Sequence, residues 1–225
     1  TYMPKWITDL EFGFGGINAR LIASNVHDAV MTMVDGGCDL LLCYHHPRQP
    51  VQLAAGRYDM LVLGNESLRP YAYCDKTGQA QLVLPGSAAQ PLAFLSYTSN
   101  AYFGRMVELI LVDTKTPLYL EKHYETDMAE GLKMMALEGH GIAFLPESAV
   151  RSELRHKHLA LADGGHPEWQ VNLEIRLYRE RPSLQRPGKP VIGRLWDYLV
   201  QQQVEQRLPR RRQRNLAVLA EPSGI

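Results

Sequence analysis

At 225 residues, against roughly 150 per domain, the chain makes one large domain or two modest ones, with length enough to bury a core without disulfide staples. A composition of 45% hydrophobic and 21% charged residues excludes global disorder, a collagen-like repeat and a disulfide scaffold. Lys plus Arg equals Asp plus Glu at 24 each, which excludes a body that coats nucleic acid or an anionic membrane through bulk charge. Cys38, Cys43 and Cys74 are odd in number and form no C-x-x-C pair, the usage of a reducing cytoplasm. The longest apolar runs, such as 40–43 and 109–112, fall far short of the roughly 18 residues of a membrane helix. No secretory pattern opens the chain, so a soluble, cytoplasmic protein without membrane attachment is expected. It begins at Thr1 rather than methionine, which reads as a piece of something longer.

In chain order, Met3, Trp6, Ile7, Leu10 and Phe14 fall at helical intervals and predict an amphipathic helix over 2–14. Residues 17–24 alternate as a half-buried strand. Val26, Ala29, Val30, Met33 and Val34 predict a helix stopped by Gly36 and Gly37, and 38–44 is a short apolar run of the kind buried on both faces of a parallel sheet. Strand, helix and strand in this order make a βαβ unit. Two separate strands are predicted at 60–63 and 69–74. A second α/β unit follows, with strands at 92–97, 118–124 and 140–146 and helices at 102–111 and 127–138. One more strand is expected at 173–178, a Pro-rich loop at 182–190 and a last helix at 192–203. The arginine-rich stretch 204–225 reads as a mobile tail.

The expected fold class is therefore α/β, with two Rossmann-like subdomains joined by two crossover strands and a cleft between them. Ligands of open α/β sheets sit beyond the carboxyl ends of strands, where helix N-termini gather. Thr98, Ser99 and Asn100 end one strand just before a helix, so their hydroxyls and free N–H groups would meet an anion or carbonyl at the positive end of the dipole; plain N-capping explains the same residues. Thr126 or Asp127 would cap the next helix, with Met128 in its first turn as a pocket wall or as core filler. Tyr44 and His45 follow the buried strand of the first unit. His45 could supply a polar edge, and adjacent His46 points the other way on an extended chain, so the pair does not make a metal site. Phe144 would add an apolar wall. Neither a metal nor an organic cofactor has a motif here: H-E-x-x-H, Walker and G-x-S-x-G patterns are lacking. Cys43 and Ser96 have no evident base, so an enzyme is not the expected class.

The run 138–146, Glu-Gly-His-Gly-Ile-Ala-Phe-Leu-Pro, resembles the "G-x-G-I-a-x-L-P" signature of the effector-binding domain of LysR-type transcriptional regulators. Residues 37–42 are similar to the family's "G-x-l-D-l-x-i" strand, and 173–179 resemble the strand that returns to the first lobe. The resemblance covers about 1–203. It implies a periplasmic-binding-protein-like (type 2) fold, with subdomain I at 1–66 plus 175–203 and subdomain II at 67–174. It also implies a small effector in the cleft, for which the two converging helix N-termini suggest an anion, homodimers or homotetramers, and contact with DNA through an N-terminal winged helix-turn-helix. That domain and the first strand of subdomain I would precede Thr1. Among members, 100–105 and 128–133 look most like the hypochlorite-responsive ones, whose sensing methionines align with Met128 and Met3, while the place of a third is Phe103. By this reading Thr98, Ser99, Asn100 and Thr126 hydrogen-bond the effector, Tyr44, Met128 and Phe144 wall it, and His45 edges it. The alternatives are a methionine-oxidation sensor and the solute-binding protein of a transporter, which shares the two-lobed plan.

Overall fold

The computed structural model describes residues 2–207. Helices α1 (Tyr2–Phe14) and α2 (Val26–Val34) lead to β1 (Leu41–His45) and the long β2 (Tyr58–Tyr73). Then come β3 (Leu92–Tyr97), α3 (Tyr102–Asp113), β4 (Leu120–Thr126), α4 (Ala129–Leu137), β5 (Ile142–Pro146) and α5 (Glu147–Arg155). Strands β6 (Leu159–Leu161) and β7 (Val171–Glu180) and helix α6 (Pro190–Arg207) complete the order. One mixed sheet runs β1-β7-β2-β5-β3-β4, with β6 also paired to β2. The β3–β4 and β3–β5 pairs are parallel, so α3 and α4 are the crossover helices that parallel neighbours require.

Local chemistry explains why the helices start and stop where the pattern placed them. Asn25 caps α2 by accepting from the Asp28 N–H at 2.9 Å, and its amide donates back to the Asp28 carboxylate at 2.7 Å. The helix closes on Gly36, whose φ of +77° is a left-handed conformation that costs glycine little, and Gly37 N–H donates to the Thr32 carbonyl at 2.8 Å.

Five expectations change. Residues 17–24 form no strand: β1 pairs with β7 alone, so among the described residues no strand flanks it on the other side to hydrogen-bond this segment, and Leu21 and Ile22 stand exposed. Strand β1 is covered on both faces, by α1 and α6 through Leu40 and Leu42 and by α2 through Leu41 and Cys43, but its one partner runs antiparallel. The strands predicted at 60–63 and 69–74 are one 16-residue strand, because β7 and then β5 supply partners across Gly64 to Leu68, with a register shift between Val62 and Gly64. Strand β6 has three residues, too few to carry a pattern. Helix α6 extends the predicted last helix into 204–207. The rest of the expected tail lies outside the described residues.

Strand β2 joins two packing regions. Its first part pairs with β7 between two small clusters, Leu10, Leu177, Leu195, Trp196 and Leu199 on one face and Met33, Leu41, Tyr58 and Tyr178 on the other. Its second part pairs with β5 and β6 inside one continuous core that includes Leu95, Met106, Leu132, Ile142, Phe144 and Trp169. Among the described residues no helix is long and apolar enough to cross a membrane.

Candidate functional site

The place where β1, β2, α3 and α5 converge is set by the first turn of α3. Gly104 is buried there, and a Cβ on it would lie 2.3 Å from the Thr98 carbonyl oxygen, so only glycine lets the helix press this closely onto the end of β3. That approach aims Phe103 at β1. Its ring centroid lies 4.9 Å from that of Tyr44, 5.6 Å from that of Tyr97 and 6.4 Å from that of Tyr102.

Around these rings the polar groups are under-satisfied. The Tyr97 hydroxyl and Oε2 of Glu66 are buried without a hydrogen-bond partner, while the buried Tyr102 and Ser148 hydroxyls face the His46 backbone and the Tyr44 phenol. Glu66 is only 4% exposed. Its other oxygen, Oε1, accepts from the Ser67 N–H at 3.0 Å and from the Ser148 N–H in the first turn of α5 at 3.2 Å, a favourable place for a negative charge. Burial pushes the Tyr44 phenol far above its ordinary range, and the charge of Glu66 adds to the shift. Burial raises Tyr97 well above the ordinary value and Tyr102 to about 12. At neutral pH all three are therefore O–H donors.

The sequence-predicted residues divide. Thr98, Ser99 and Asn100 do lie at the start of α3, but none of them caps it: the capping position is Ala101, with no side-chain hydrogen bond. The Thr98 N–H donates to the Thr126 carbonyl at 3.1 Å, which ties the two predicted loops together. Thr126 is not the cap of α4 either, since Met128 holds that position and its N–H reaches the Thr126 hydroxyl only at 3.4 Å. Met128 is 63% exposed, so it is neither core filler nor an enclosed wall. Tyr44 reaches the junction.

His45 does not share the face of Tyr44, because side chains alternate along a strand. It is buried with Nδ1 unpartnered, opposite Glu174 in register, and burial together with Arg176 lowers its pKa. Phe144 is a correction: it is fully buried, edge-on to Phe94 at 6.2 Å, in a strand buried along its whole length, and therefore belongs to the core. Sequence reading missed Phe103 as a wall, and also Tyr97, Glu66 and Ser148. It missed Arg105, whose Nη1 donates to the Asn100 carbonyl at 2.9 Å and whose guanidinium lies 5.8 Å from the Tyr102 ring centroid. Glu66 sat in a stretch read as a connection between strands, where an acid is unremarkable.

Elsewhere, an open hollow of about 420 Å³ is lined by Phe94, Leu111, Leu118, Leu120 and two lysines, and a second of about 360 Å³ lies between α2 and the 186–189 loop. Neither contains a predicted site residue. Among the described residues, no group of three or more His, Cys, Asp or Glu could hold a metal ion.

Compared with known proteins, residues 1–203 match the family described as the LysR substrate binding domain. The chain belongs to that family. It is a regulatory rather than a catalytic domain. It is 29% identical over 175 residues to the HTH-type transcriptional regulator YjiE of Escherichia coli K12, covering 77% of this chain and 53% of that protein. It is also 29% identical to the HTH domain-truncated transcriptional regulator QseD of Escherichia coli O157:H7, covering 77% and 66%. The chain thus spans between half and two thirds of these relatives' length. The apo regulatory domain of HypT from Salmonella typhimurium superposes with a TM-score of 0.74 at 24% identity, each chain covered to 91%. Vibrio fischeri DarR, solved with DNA, gives a TM-score of 0.71 at 25% identity, with 88% of this chain and 62% of that one covered. The fold is therefore the mixed α/β, periplasmic-binding-protein-like type 2 plan of LysR regulatory domains.

Proposed function

We propose that this domain senses a small effector for a bacterial, cytoplasmic LysR-type regulator, in a cleft between subdomain I (2–66 with 175–203) and subdomain II (67–174). The pairing of β2 supports this division, since Leu68 is opposite both Val171 of β7 and Pro146 of β5. The observation that carries the proposal is the junction of Tyr44, Tyr97 and Phe103, with the buried, unpartnered Tyr97 hydroxyl and the Glu66 carboxylate oxygen near it. Native proteins rarely leave such groups without a partner. An anionic end of the effector fits the start of α3, where Ala101 gives no side-chain cap, the helix dipole favours negative charge, and Ser99, Asn100 and Arg105 stand at hand. Effector binding shifts the relative orientation of the lobes only by its differential affinity for the two arrangements. A winged helix-turn-helix outside this chain would read that shift out on DNA.

Exposed apolar side chains support assembly into dimers: Phe12 on α1, Leu21 and Ile22 in the segment that follows it, and Leu111 and Val112 on α3 with Tyr119 and Tyr124 at β4. Light scattering on the purified domain should give twice the chain mass, and Phe12→Glu should return the monomer; a monomeric parent domain would refute the assembly.

The test of the sensing role is a thermal melt against small carboxylates, aromatic acids and amino acids. A compound at a hundred times its dissociation constant adds about 2.7 kcal/mol, a rise of roughly 5 to 10 °C at this size. Asn100→Ala should reduce that rise while leaving the melt without compound unchanged. A second reading, methionine oxidation, is favoured by the exposure of Met128 at the start of α4. A melt altered only by dilute hypochlorite, and no longer altered in Met128→Leu, would select it.

A further inference from the structure

The sensing role leaves open what chemistry the effector carries, and Glu66 narrows it. A carboxylate that is 4% exposed with one oxygen bound to two backbone N–H groups and the other bound to nothing is an incomplete site, because a buried charge needs a partner for all of its acceptor capacity. Glu66 is opposite Leu173 of β7 and Tyr44 is opposite Ile175, two residues along, so the two side chains share one face of the sheet. Tyr44 packs on Phe103, which in turn meets Tyr97, and Ser148, whose N–H holds Oε1, turns its hydroxyl to the Tyr44 phenol.

A second anion would be repelled there. A metal would find one carboxylate and no further strong ligands, and the described residues form no metal-binding group. One carboxylate framed by aromatic rings is the setting that holds an ammonium, through an ion pair and the negative faces of the rings. The other end of the junction has the opposite sign. Arg105 leans on Tyr102, donates only to the neutral Asn100 carbonyl and has no carboxylate partner among the described residues, beside the uncapped start of α3.

We propose that the effector is a zwitterion, an α-amino acid or a close analogue, whose ammonium pairs with Glu66 Oε2 within the Tyr44, Tyr97 and Phe103 walls while its carboxylate meets the first turn of α3 and Arg105. This rests on the cleft being the effector site, and it makes Glu66 the residue that separates amino acids from plain organic acids.

Calorimetric titration of the whole domain with matched triples tests it. L-leucine is compared with 4-methylpentanoate and 3-methylbutylamine, L-phenylalanine with 3-phenylpropanoate and 2-phenylethylamine, and the remaining L-amino acids with their own deaminated and decarboxylated counterparts. At least one amino acid should bind, and loss of either charged group should weaken it tenfold or more. Glu66→Gln retains an oxygen for the Ser148 N–H, so α5 stays held. In that variant the preference for the amino acid over its deaminated acid should vanish, with the affinity of the deaminated acid unchanged within twofold. The triples measured on the parent protein decide the matter even if the variant fails to fold. Equal or tighter binding of the deaminated acid overturns the zwitterion and leaves the cleft reading standing, as does an unchanged preference in Glu66→Gln. An amine that binds as tightly as its amino acid overturns the carboxylate half. Failure of all amino acids to bind overturns the inference, while the cleft reading is decided separately by melts against other small molecules.

Discussion

The two packing regions on either side of the β2 crossover are built to different standards. Around β5 every strand residue is buried, and α3, α4 and β3 close one continuous core with Trp169 fully inside and its Nε1 donating to the Thr114 hydroxyl at 2.9 Å. Around β1 the buried side chains split into two small clusters on opposite faces, the outer edge of the strand has no neighbouring strand among the described residues, and Phe12, Leu21 and Ile22 face solvent. The contrast teaches that the first region is a self-sufficient scaffold, while the second relies more on its charged network and on contacts its surface still offers. The junction of Tyr44 with Phe103 joins one to the other.

The largest expected effect tests that contrast directly. Phe144→Ala should cost about 3–5 kcal/mol in urea unfolding, because Phe144 is fully buried in one continuous core whose packed side chains resist collapse onto the cavity. Leu177→Ala should fall nearer the low end of the roughly 2–5 kcal/mol usual for such truncations, since its small cluster borders α1 and α6, which can settle inward. A larger loss at Leu177 than at Phe144 would break the comparison.

Next comes the charged network on the β1 side. Burial by itself would raise the Asp59 carboxyl, but hydrogen bonds from Arg181 at 2.6 Å and Arg179 at 3.1 Å outweigh it and hold the pKa below the ordinary value. A depressed folded pKa gives stability that is present above the unfolded value near about 4 and lost as pH falls through the folded value. Asp59→Asn should therefore cost about 1 kcal/mol at pH 7 and flatten the acid limb of a stability–pH curve. An unchanged acid limb would remove Asp59 from the account of this region.

A smaller pH effect follows from His45, whose imidazole is buried and whose pKa is lowered by burial and by Arg176. The unfolded chain takes up its proton first, so stability falls as pH drops from about 6.5 toward the lower folded value. His45→Gln should lessen the fall between pH 7 and pH 5, read from the melting temperature. The smallest effect is expected at Met128. With this side chain 63% exposed, Met128→Leu should leave stability within about 0.5 kcal/mol, and a larger loss would mean that a partner surface covers it.

Much of this plan was legible in the residues, for reasons that can be named. Helices α1 to α4 announce themselves by periodic apolar faces, and α2 by its Asn25 start and Gly36 stop as well. Strand β5 announces itself by an unbroken apolar run. Strand β2 did not, because Gly64, Asn65 and Pro70 look like punctuation, and only the ladders offered by β7 and β5 make the stretch continuous. Residues 17–24 alternate well, yet alternation without a flanking strand gives no sheet. Within the site, the loops at Thr98 and Thr126 were legible from strand-to-helix order. Phe144 was misplaced because a doubly buried strand gives no sign of which side chain reaches a cleft, and Glu66 was missed because its burial follows from the unread continuity of β2.

The most direct test of the sensing site is hydrogen–deuterium exchange with and without a compound that raises the melting temperature. Protection should concentrate in 41–46, 66–68, 98–105 and 146–150, the segments that carry Tyr44, Glu66, Phe103 and Ser148. Protection confined to the hollow at 111–122, or spread evenly with no change at these four segments, would contradict the assignment of the junction as the place where this domain reads its effector.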